Sequence, residues 1–162
     1  MISRPTGCSE AWTHVTSQSE LVLSSIHGPD HWERVEGFGL YLSRRTGADP
    51  TVVSLFALFH DSRRESEGDD PLHGYRGANY ALEQRGELFE VTDEQMTLLF
   101  EACEDHTEGH HHADPTVGTC WDSDRMDMTR CGVELDPAYF STGKGREIAS
   151  FGSWSDFHSA GA

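Results

Sequence analysis

Paired cysteines, secretory features and long apolar runs are all missing from this 162-residue chain. Its four cysteines form no CxxC pair, which argues against a zinc knuckle and against a disulfide framework. The first residues contain no apolar signal segment, and the longest apolar stretch, Val52 to Phe59, is far too short to cross a bilayer. The sequence therefore predicts reduced thiols in a cytoplasmic protein without a membrane segment.

Positive charge is also scarce, because 12 basic residues accompany 28 acidic ones and leave a formal net charge of -16. Such a charge repels nucleic-acid polymers and anionic membrane surfaces, so neither is an expected partner. A small phosphorylated substrate remains compatible with it if divalent metals and a few arginines reverse the field inside a pocket. Eleven of the twelve basic residues are arginine, which suits phosphate, although an arginine-favouring genome explains this ratio at least as well.

The distribution of glycine, proline and apolar residues predicts an all-α protein. At this length we expect a single domain, with a bundle of about six helices over residues 1–137 and a Gly/Ser-rich tail or strap over 138–162. No segment shows the alternating pattern of a strand. The expected helices run roughly from Glu10 to Ser25, Asp30 to Arg45, Pro50 to Asp61, His73 to Arg85, Asp93 to Thr107 and Pro115 to Gly132.

Capping signals mark several of these helix ends. Asp30 is the expected N-cap of the second helix, and Gly47 ends that helix. Asp49-Pro50 opens the third helix, and Thr92 with Gln95 forms a capping-box pattern before the fifth. The third helix is apolar on nearly every side, so it is expected to run through the middle of the bundle.

His60 and Asp61 follow this most apolar segment of the chain. Two ionisable side chains are therefore expected at the interior end of a buried helix. Buried polar groups need partners, and a metal ion would supply them. Taken alone, the dipeptide is more often an ordinary helix C-terminus with a solvated aspartate.

Helical phase brings further ionisable residues inward. On the fifth helix, His106 continues an apolar stripe at spacings of three and four residues, so it faces the core. On the sixth helix, Asp124 belongs to a predicted buried stripe that ends with Met128 and Cys131. Asp122 lies on the opposite side of that helix, so Asp124 is the better candidate ligand.

Two more histidines belong to this set. His73 shares a helical face with Gly77 and Ala81, small residues that would let this helix approach a neighbour closely. His31 lies at the start of the second helix. Each residue alone is more often a hydrogen-bonded interior residue or a cap, but the convergence of five or six such residues in one small domain favours a metal site.

The order of these residues resembles the H…HD…D signature of the HD superfamily. His31, His60-Asp61 and Asp124 carry the signature, and the resemblance covers about residues 27–130. The sequence HWERV from His31 resembles the family's HxxRV element, and SDRMD around Asp124 resembles its ADRLD element. The resemblance implies the helical fold of that superfamily and a metal centre.

Two further elements resemble family members that hold two metals, such as the bacterial enzymes that split diadenosine tetraphosphate symmetrically. His73-Gly74-Tyr75-Arg76-Gly77-Ala78 resembles the HGxxGA element, and Asp105-His106-Thr107 resembles the later His-Thr element. The resemblance implies a dinuclear site in which Asp61 bridges the two ions. The implied ligands are His31, His60, Asp61 and Asp124 on one ion and His73 and His106 on the other.

The resemblance further implies a metal-dependent phosphohydrolase that acts on a small phosphorylated substrate, such as a nucleotide or phosphomonoester, through a metal-activated water. Imidazole and carboxylate ligands suit two divalent ions of Fe, Mn, Co, Ni or Zn better than Mg. Arg34 is the first candidate for a catalytic phosphate clamp, with a surface ion pair near Asp30 or Glu33 as the alternative. Arg63 and Arg64, at the expected pocket rim, are the next candidates for substrate binding.

Glu65 and Asp69 are similar to acidic residues of the 5′-deoxynucleotidase branch that position water or protonate a leaving group. The spacing matches with a one-residue insertion, so both are catalytic candidates, and a solvated acidic loop is the alternative. Ser62-Arg63 replaces the Ile-Gly that usually follows HD, which leaves the subfamily and the substrate open. The run His110–His112 lies in a Gly-flanked loop and is expected mainly outside the site.

Two other functions compete with phosphate hydrolysis. Some HD proteins with this ligand pattern hold a mixed-valent di-iron centre and use O₂ to cleave carbon-phosphorus or carbon-carbon bonds. Others retain the metals and bind a ligand or a partner without turnover. The sequence leaves the substrate, the native metal and the oligomeric state open.

Overall fold

The computed structural model describes residues 3–20 and 25–161, and within them the protein is helical without a strand. The helix at Pro115–Met126 continues into a 3₁₀ turn at Asp127–Cys131, and a second 3₁₀ turn covers Pro137–Tyr139. The predicted all-α bundle with six longer helices is confirmed. The helices are α1 Ser9–Ser17, α2 Pro29–Thr46, α3 Pro50–Phe59, α4 His73–Gln84, α5 Asp93–Asp105, α6 Pro115–Met126, α7 Gly143–Ala149 and α8 Trp154–Ser159.

Helix α3 forms the centre of the bundle. Every residue from Val52 to Phe59 is buried, and α3 packs against α2, α4, α5 and α6. The Asp49 side chain accepts hydrogen bonds from the backbone N–H groups of Thr51 and Val52, which fixes the first turn. The predicted cap and the predicted central position are both confirmed. Because α3 is enclosed, His60 and Asp61 at its end are held inside the molecule.

Two predicted helix boundaries are wrong, the end of the first helix and the start of the second. The first helix ends at Ser17 rather than near Ser25, and the part of that prediction over residues 21–24 lies outside the described residues. The N-cap of α2 is Gly28, not Asp30. Pro29 occupies the first helical position, where its missing N–H is not needed, and Asp30 therefore lies inside the first turn.

The sixth helix also differs from its predicted pattern. It changes to a 3₁₀ turn after Met126, and this tighter winding shifts the angular positions of the following side chains. Met128 and Cys131 are consequently exposed rather than buried. Gly132 ends the turn in the left-handed conformation, close to the predicted helix end.

Helix α4 approaches its neighbours through two glycines. A Cβ atom on Gly77 would clash with the carbonyl oxygen of Phe59, and one on Gly74 would clash with that of Cys103. This confirms the predicted close approach of the small-residue face of α4. The approach places His73 beside the ends of α3 and α5.

The segment after Pro137 contains α7 and α8 and buries three large apolar side chains, Phe140, Ile148 and Phe157. These pack with Leu42 of α2 in a second apolar cluster, separate from the cluster around α3. Among the described residues, no helix has both the length and the hydropathy required to cross a membrane.

Candidate metal centre

Five helices deliver the six predicted ligands to one place, mostly from their ends. His60 is the C-cap of α3, Asp61 follows it, His73 begins α4 and His106 is the C-cap of α5. The other two, His31 and Asp124, lie in the first turn of α2 and the last turn of α6. Helix ends converge here because α3 stops at this point and the surrounding helices pack around its terminus.

All four histidines are buried, and the Nδ1 atom of each is within hydrogen-bonding distance of an oxygen. The acceptor is Asp127 Oδ2 for His31, at 2.7 Å, and the carbonyl oxygens of Phe56 and Ala57 for His60, each at 3.1 Å. These oxygens can only accept, so each Nδ1 carries the proton and donates it. The Nδ1 atoms of His73 and His106 donate to the carbonyl oxygens of Asp70 and Cys103.

The four Nε2 atoms are consequently the ligand atoms, and they form two pairs. The Nε2 atoms of His31 and His60 are 3.1 Å apart, and those of His73 and His106 are 2.9 Å apart. Two imidazole lone pairs at this distance repel each other unless a proton or a metal cation lies between them. The geometry therefore fits a cation at each pair.

Asp61 divides its two carboxylate oxygens between the pairs. Asp61 Oδ2 lies 3.6 Å from His31 Nε2 and 3.5 Å from His60 Nε2. Asp61 Oδ1 lies 3.2 Å from His73 Nε2 and 3.7 Å from His106 Nε2. A carboxylate in this position can bridge two ions.

Asp124 completes the first group. Its Oδ1 atom lies 3.2 Å from His31 Nε2 and 3.6 Å from His60 Nε2, and its side chain is 24% exposed. Within the described residues, the sets able to hold a metal ion are drawn from these same six side chains. The groups are His31 with His60 and Asp61, His60 with His106 and Asp124, and Asp61 with His73 and His106.

The electrostatics of the centre keep its carboxylates ionised. Burial acts to raise the pKa of Asp61, but the nearby His60 and His106 outweigh it and hold that pKa below its usual value. Burial likewise acts against the charged form of Asp124, while His31 and His60 lower its pKa well below the ordinary range. Both groups are therefore anionic at neutral pH, as metal ligands must be.

Three of the histidines have shifted pKa values. Burial acts to lower the pKa of His31, but hydrogen bonds to Asp124 and Asp127 raise it to about 9. Burial opposes charge on His106 too, and Asp61 raises its pKa, whereas the pKa of His73 is lowered mainly by burial. His31 is therefore expected to retain a second proton at neutral pH when no metal is bound.

The sequence assigns no role to Asp127, the last residue of the SDRMD element, but the structure places it against His31. It is 4% exposed and accepts hydrogen bonds from His31, Arg34 and Arg130. The Arg34 guanidinium contacts both of its oxygens, at 2.7 and 3.0 Å. Arg34 was predicted as a phosphate clamp, but in the structure it holds the acceptor that orients His31.

The other two candidate arginines have different surroundings. Arg64 donates to Asp61 Oδ1 at 2.9 Å, and its Nη2 atom lies 3.4 Å from His73 Nε2. Arg63 stacks on the ring of Tyr80, with 3.5 Å between the guanidinium carbon and the ring centroid. Arg64 therefore borders the metal-facing atoms, and Arg63 lines a neighbouring cleft with Tyr80.

The acidic loop places Glu65 and Asp69 outside the metal cleft. The Glu65 side chain is 77% exposed, 3.6 Å from the Arg76 guanidinium, and Asp69 is exposed. Asp70 instead reaches the centre, because its carbonyl oxygen accepts from His73 while its carboxylate pairs with Arg76. The His-Gly pattern that marked His73 as a candidate does not predict that the carbonyl oxygen of Asp70 accepts its hydrogen bond.

A cleft of about 340 Å³ opens onto the centre. Within the described part of the chain its walls include four predicted ligands, three arginines and an apolar edge. The volume falls in the range of about 300–1,000 Å³ that is typical of small-molecule sites. The lining includes the ligands His31, Asp61, His106 and Asp124, the arginines Arg64, Arg125 and Arg130, and the apolar residues Ile26 and Met128.

Asp122 and the histidine run at 110–112 make contacts away from the metal centre. Asp122 is buried and accepts from the backbone N–H groups of Ser141 and Thr142, so it fixes the C-terminal segment. His111 lies 2.7 Å from the carbonyl oxygen of Ala138, and His112 lies 3.0 Å from Glu101. These contacts agree with Asp124 as the candidate ligand and with the histidine run outside the centre.

Comparison with known proteins supports the fold. No protein-family model matches the sequence. No curated protein matches it either. A solved structure described as a predicted HD superfamily hydrolase, from an uncultured Thermotogales bacterium, is similar with a TM-score of 0.70 and 18% sequence identity. The likeness covers 94% of this chain and 88% of that one, and it confirms the HD-type helical fold.

Proposed function

We propose that this chain is an HD-type, metal-dependent phosphohydrolase of small phosphorylated substrates such as nucleotides or phosphomonoesters. The observation that supports the proposal most is the arrangement of buried donors: two pairs of facing Nε2 atoms, with the two oxygens of Asp61 divided between them. The fold shared with a predicted HD superfamily hydrolase agrees with it. The donor chemistry suits Fe, Mn, Co, Ni or Zn.

In this proposal His31, His60 and Asp124 would hold one divalent ion and His73 and His106 a second, and Asp61, whose two oxygens face the two pairs, would contribute to both sites. When bound, the two ions supply Lewis acidity and lower the pKa of a water so that it can attack phosphorus. The buried hydrogen bonds from each Nδ1 fix the tautomers and ring orientations beforehand.

The remaining candidates have different proposed roles. Arg34 acts as a positioning residue through Asp127, and Arg64 holds Asp61 and borders the cleft where a phosphate would enter. The roles of Arg63, Glu65 and Asp69 remain predictions from the sequence. These residues do not line the metal cleft, so the proposal gives them no part in the reaction.

The first test compares metal content and phosphate release in Asp61→Asn and in Asp93→Asn. Both substitutions remove one negative charge, but Asp93 is 96% exposed at the start of α5. We expect the wild type loaded with Mn or Co to hold two ions and to release phosphate from an aryl phosphate or a nucleotide. Asp61→Asn should lose metal and at least a hundredfold in rate, on the order of one removed electrostatic contact in an active site.

Phosphate release that survives in metal-depleted Asp61→Asn protein would reject the assignment. A mixed-valent iron signal with oxygen consumption would instead identify an oxygenase. Tight nucleotide binding without product over hours would identify a binding domain. Asp93→Asn should match the wild type in metal content and in rate.

A further inference from the structure

Three arginines border the metal cleft, and two have most of their donors occupied. Arg125 donates to the carbonyl oxygens of Gly109, His110 and Tyr139 and so ties two loops together. Arg64 donates to Asp61 and to the carbonyl oxygens of residues 66 and 68. Neither arginine can turn toward a substrate without breaking these contacts.

Arg130 has more capacity for an anion. Its Nε atom donates to Asp127 at 3.2 Å and its Nη2 atom to the carbonyl oxygen of Ile26 at 2.6 Å. Among the described residues, no hydrogen bond uses its Nη1 atom, and the side chain is 32% exposed on the cleft. Asp127 therefore contacts two arginines, Arg34 and Arg130.

The cleft also has an apolar edge. Ile26 and Met128 both line it and are 49% and 47% exposed. Met128 is exposed because α6 tightens into the 3₁₀ turn, and the same turn carries Arg130. An anion-binding donor and an apolar surface thus lie side by side above the metal ligands.

We propose that Arg130 binds the phosphoryl group of the substrate and that Ile26 and Met128 contact its organic part. The proposal rests on the proposed function and narrows its substrate class. The substrate is a phosphomonoester with an apolar or aromatic group near the phosphate, rather than a sugar or polyol phosphate. Arg130 holds this position instead of Arg34, because Arg130 lines the metal cleft and Arg34 is not among its lining residues.

The anion part is tested by titrating inorganic phosphate and phenylphosphonate into metal-loaded protein, in the wild type, Arg130→Gln and Arg85→Gln. Phenylphosphonate has no ester bond, so its binding is measured without turnover. Arg85 pairs with exposed Asp93 and makes the matched charge control. With both proteins loaded to the same metal content, we expect Arg130→Gln to bind both anions about tenfold more weakly than the wild type, as for the loss of one hydrogen bond to a charged group.

Equal binding by Arg130→Gln and the wild type, or no anion binding by the wild type, would overturn the proposal. A decrease in anion binding that only follows a loss of metal from Arg130→Gln would mean that the residue acts through Asp127 alone, and this would overturn it too. Arg130→Lys separates the two roles, since it keeps the charge and should recover part of the phosphate affinity.

The apolar part is tested with Met128→Ser, using phenyl phosphate and glycerol phosphate as alternative substrates. We expect KM for phenyl phosphate to rise about threefold to tenfold, as for the loss of a partly buried apolar contact, with KM for glycerol phosphate unchanged. Equal effects on both substrates would contradict the assignment. If anion binding depends on Arg130 but the wild type releases no phosphate, the proposed hydrolase is refuted and the anion subsite is retained. If the wild type releases phosphate but Arg130→Gln binds the anions as the wild type does, the subsite is refuted and the hydrolase is retained.

Discussion

At the scale of single residues, the protonated nitrogen of each histidine determines what the other nitrogen can bind. Three of the four Nδ1 atoms donate to carbonyl oxygens close in sequence, which are available wherever a helix ends. His31 is different because its acceptor is the Asp127 carboxylate, 96 residues away. Its orientation therefore depends on tertiary structure, and Arg34 and Arg130 hold the carboxylate in place.

We expect Asp127→Asn to weaken metal binding about 10- to 100-fold, the range typical of an outer-shell partner of a metal-bound histidine. The amide accepts more weakly than the carboxylate and leaves the two arginines without a counter-ion. Chelator competition measures the affinity, with Asp93→Asn as the charge control. An affinity equal to that of the wild type would show that Asp127 does not position His31.

The candidate ligands could be predicted where they belong to a sequence pattern, but contacts between residues distant in sequence could not. The HD dipeptide and the phases of His106 and Asp124 identified the ligands as candidates. Asp127 stands three residues after Asp124, but no spacing tells which residue a carboxylate will contact across the molecule. The same limit explains why Arg34 was expected at a phosphate rather than at Asp127.

At the scale of helices, the local signals predicted the starts of α3 and α5 but not the start of α2 or the end of α1. Asp49 and Thr92 cap α3 and α5 as predicted, because a side chain and the backbone N–H groups it caps are neighbours in sequence. The first helix stops early, where the Ser17 hydroxyl donates to the carbonyl oxygen of His14. Serine side chains compete in this way with the backbone N–H groups for carbonyl oxygens, and the spacing of apolar residues does not predict where this happens.

The packing of α4 gives a prediction with an internal control. We expect Gly77→Ala to destabilise the protein by about 1–3 kcal/mol, because the added Cβ would clash with the backbone of Phe59 and overpack the contact. Gly37→Ala, on the exposed face of α2 with open space around it, should stabilise by about 0.5–1 kcal/mol. Chemical unfolding of both variants in the metal-free state provides the comparison.

A Gly77→Ala variant as stable as Gly37→Ala would contradict the close approach of α4 to the end of α3. Because that approach places His73 beside Asp61, metal occupancy should fall in Gly77→Ala and stay unchanged in Gly37→Ala.

At the scale of the whole molecule, the C-terminal segment was the hardest part to anticipate. Its Gly/Ser-rich composition conceals three widely spaced side chains, Phe140, Ile148 and Phe157, which become fully buried against α2 and α6. Asp122 adds a polar anchor to Ser141 and Thr142. Neither feature has a local pattern, because both depend on contacts with residues of α2 and α6 that are distant in sequence.

The proposed metal centre would couple the stability of the whole fold to metal and to pH. Without metal, the buried centre contains facing imidazoles that require protons, so a ligand that binds only the folded state stabilises it. At a free metal concentration about a hundred times Kd, the expected gain is about 2.7 kcal/mol per ion. Thermal unfolding with and without a chelator measures this gain, which Asp61→Asn should lose and Asp93→Asn should retain.

The sign of the pH dependence follows from His31. Its pKa is raised to about 9, so below that pH the metal-free protein retains a proton that an ion must displace. Metal affinity and the stability gained from metal should therefore increase as the pH rises toward about 9, with proton release during titration at neutral pH. Metal-dependent stabilisation that stays constant from pH 6 to pH 9, about the range in which histidine titrates, would mean that the ions bind elsewhere.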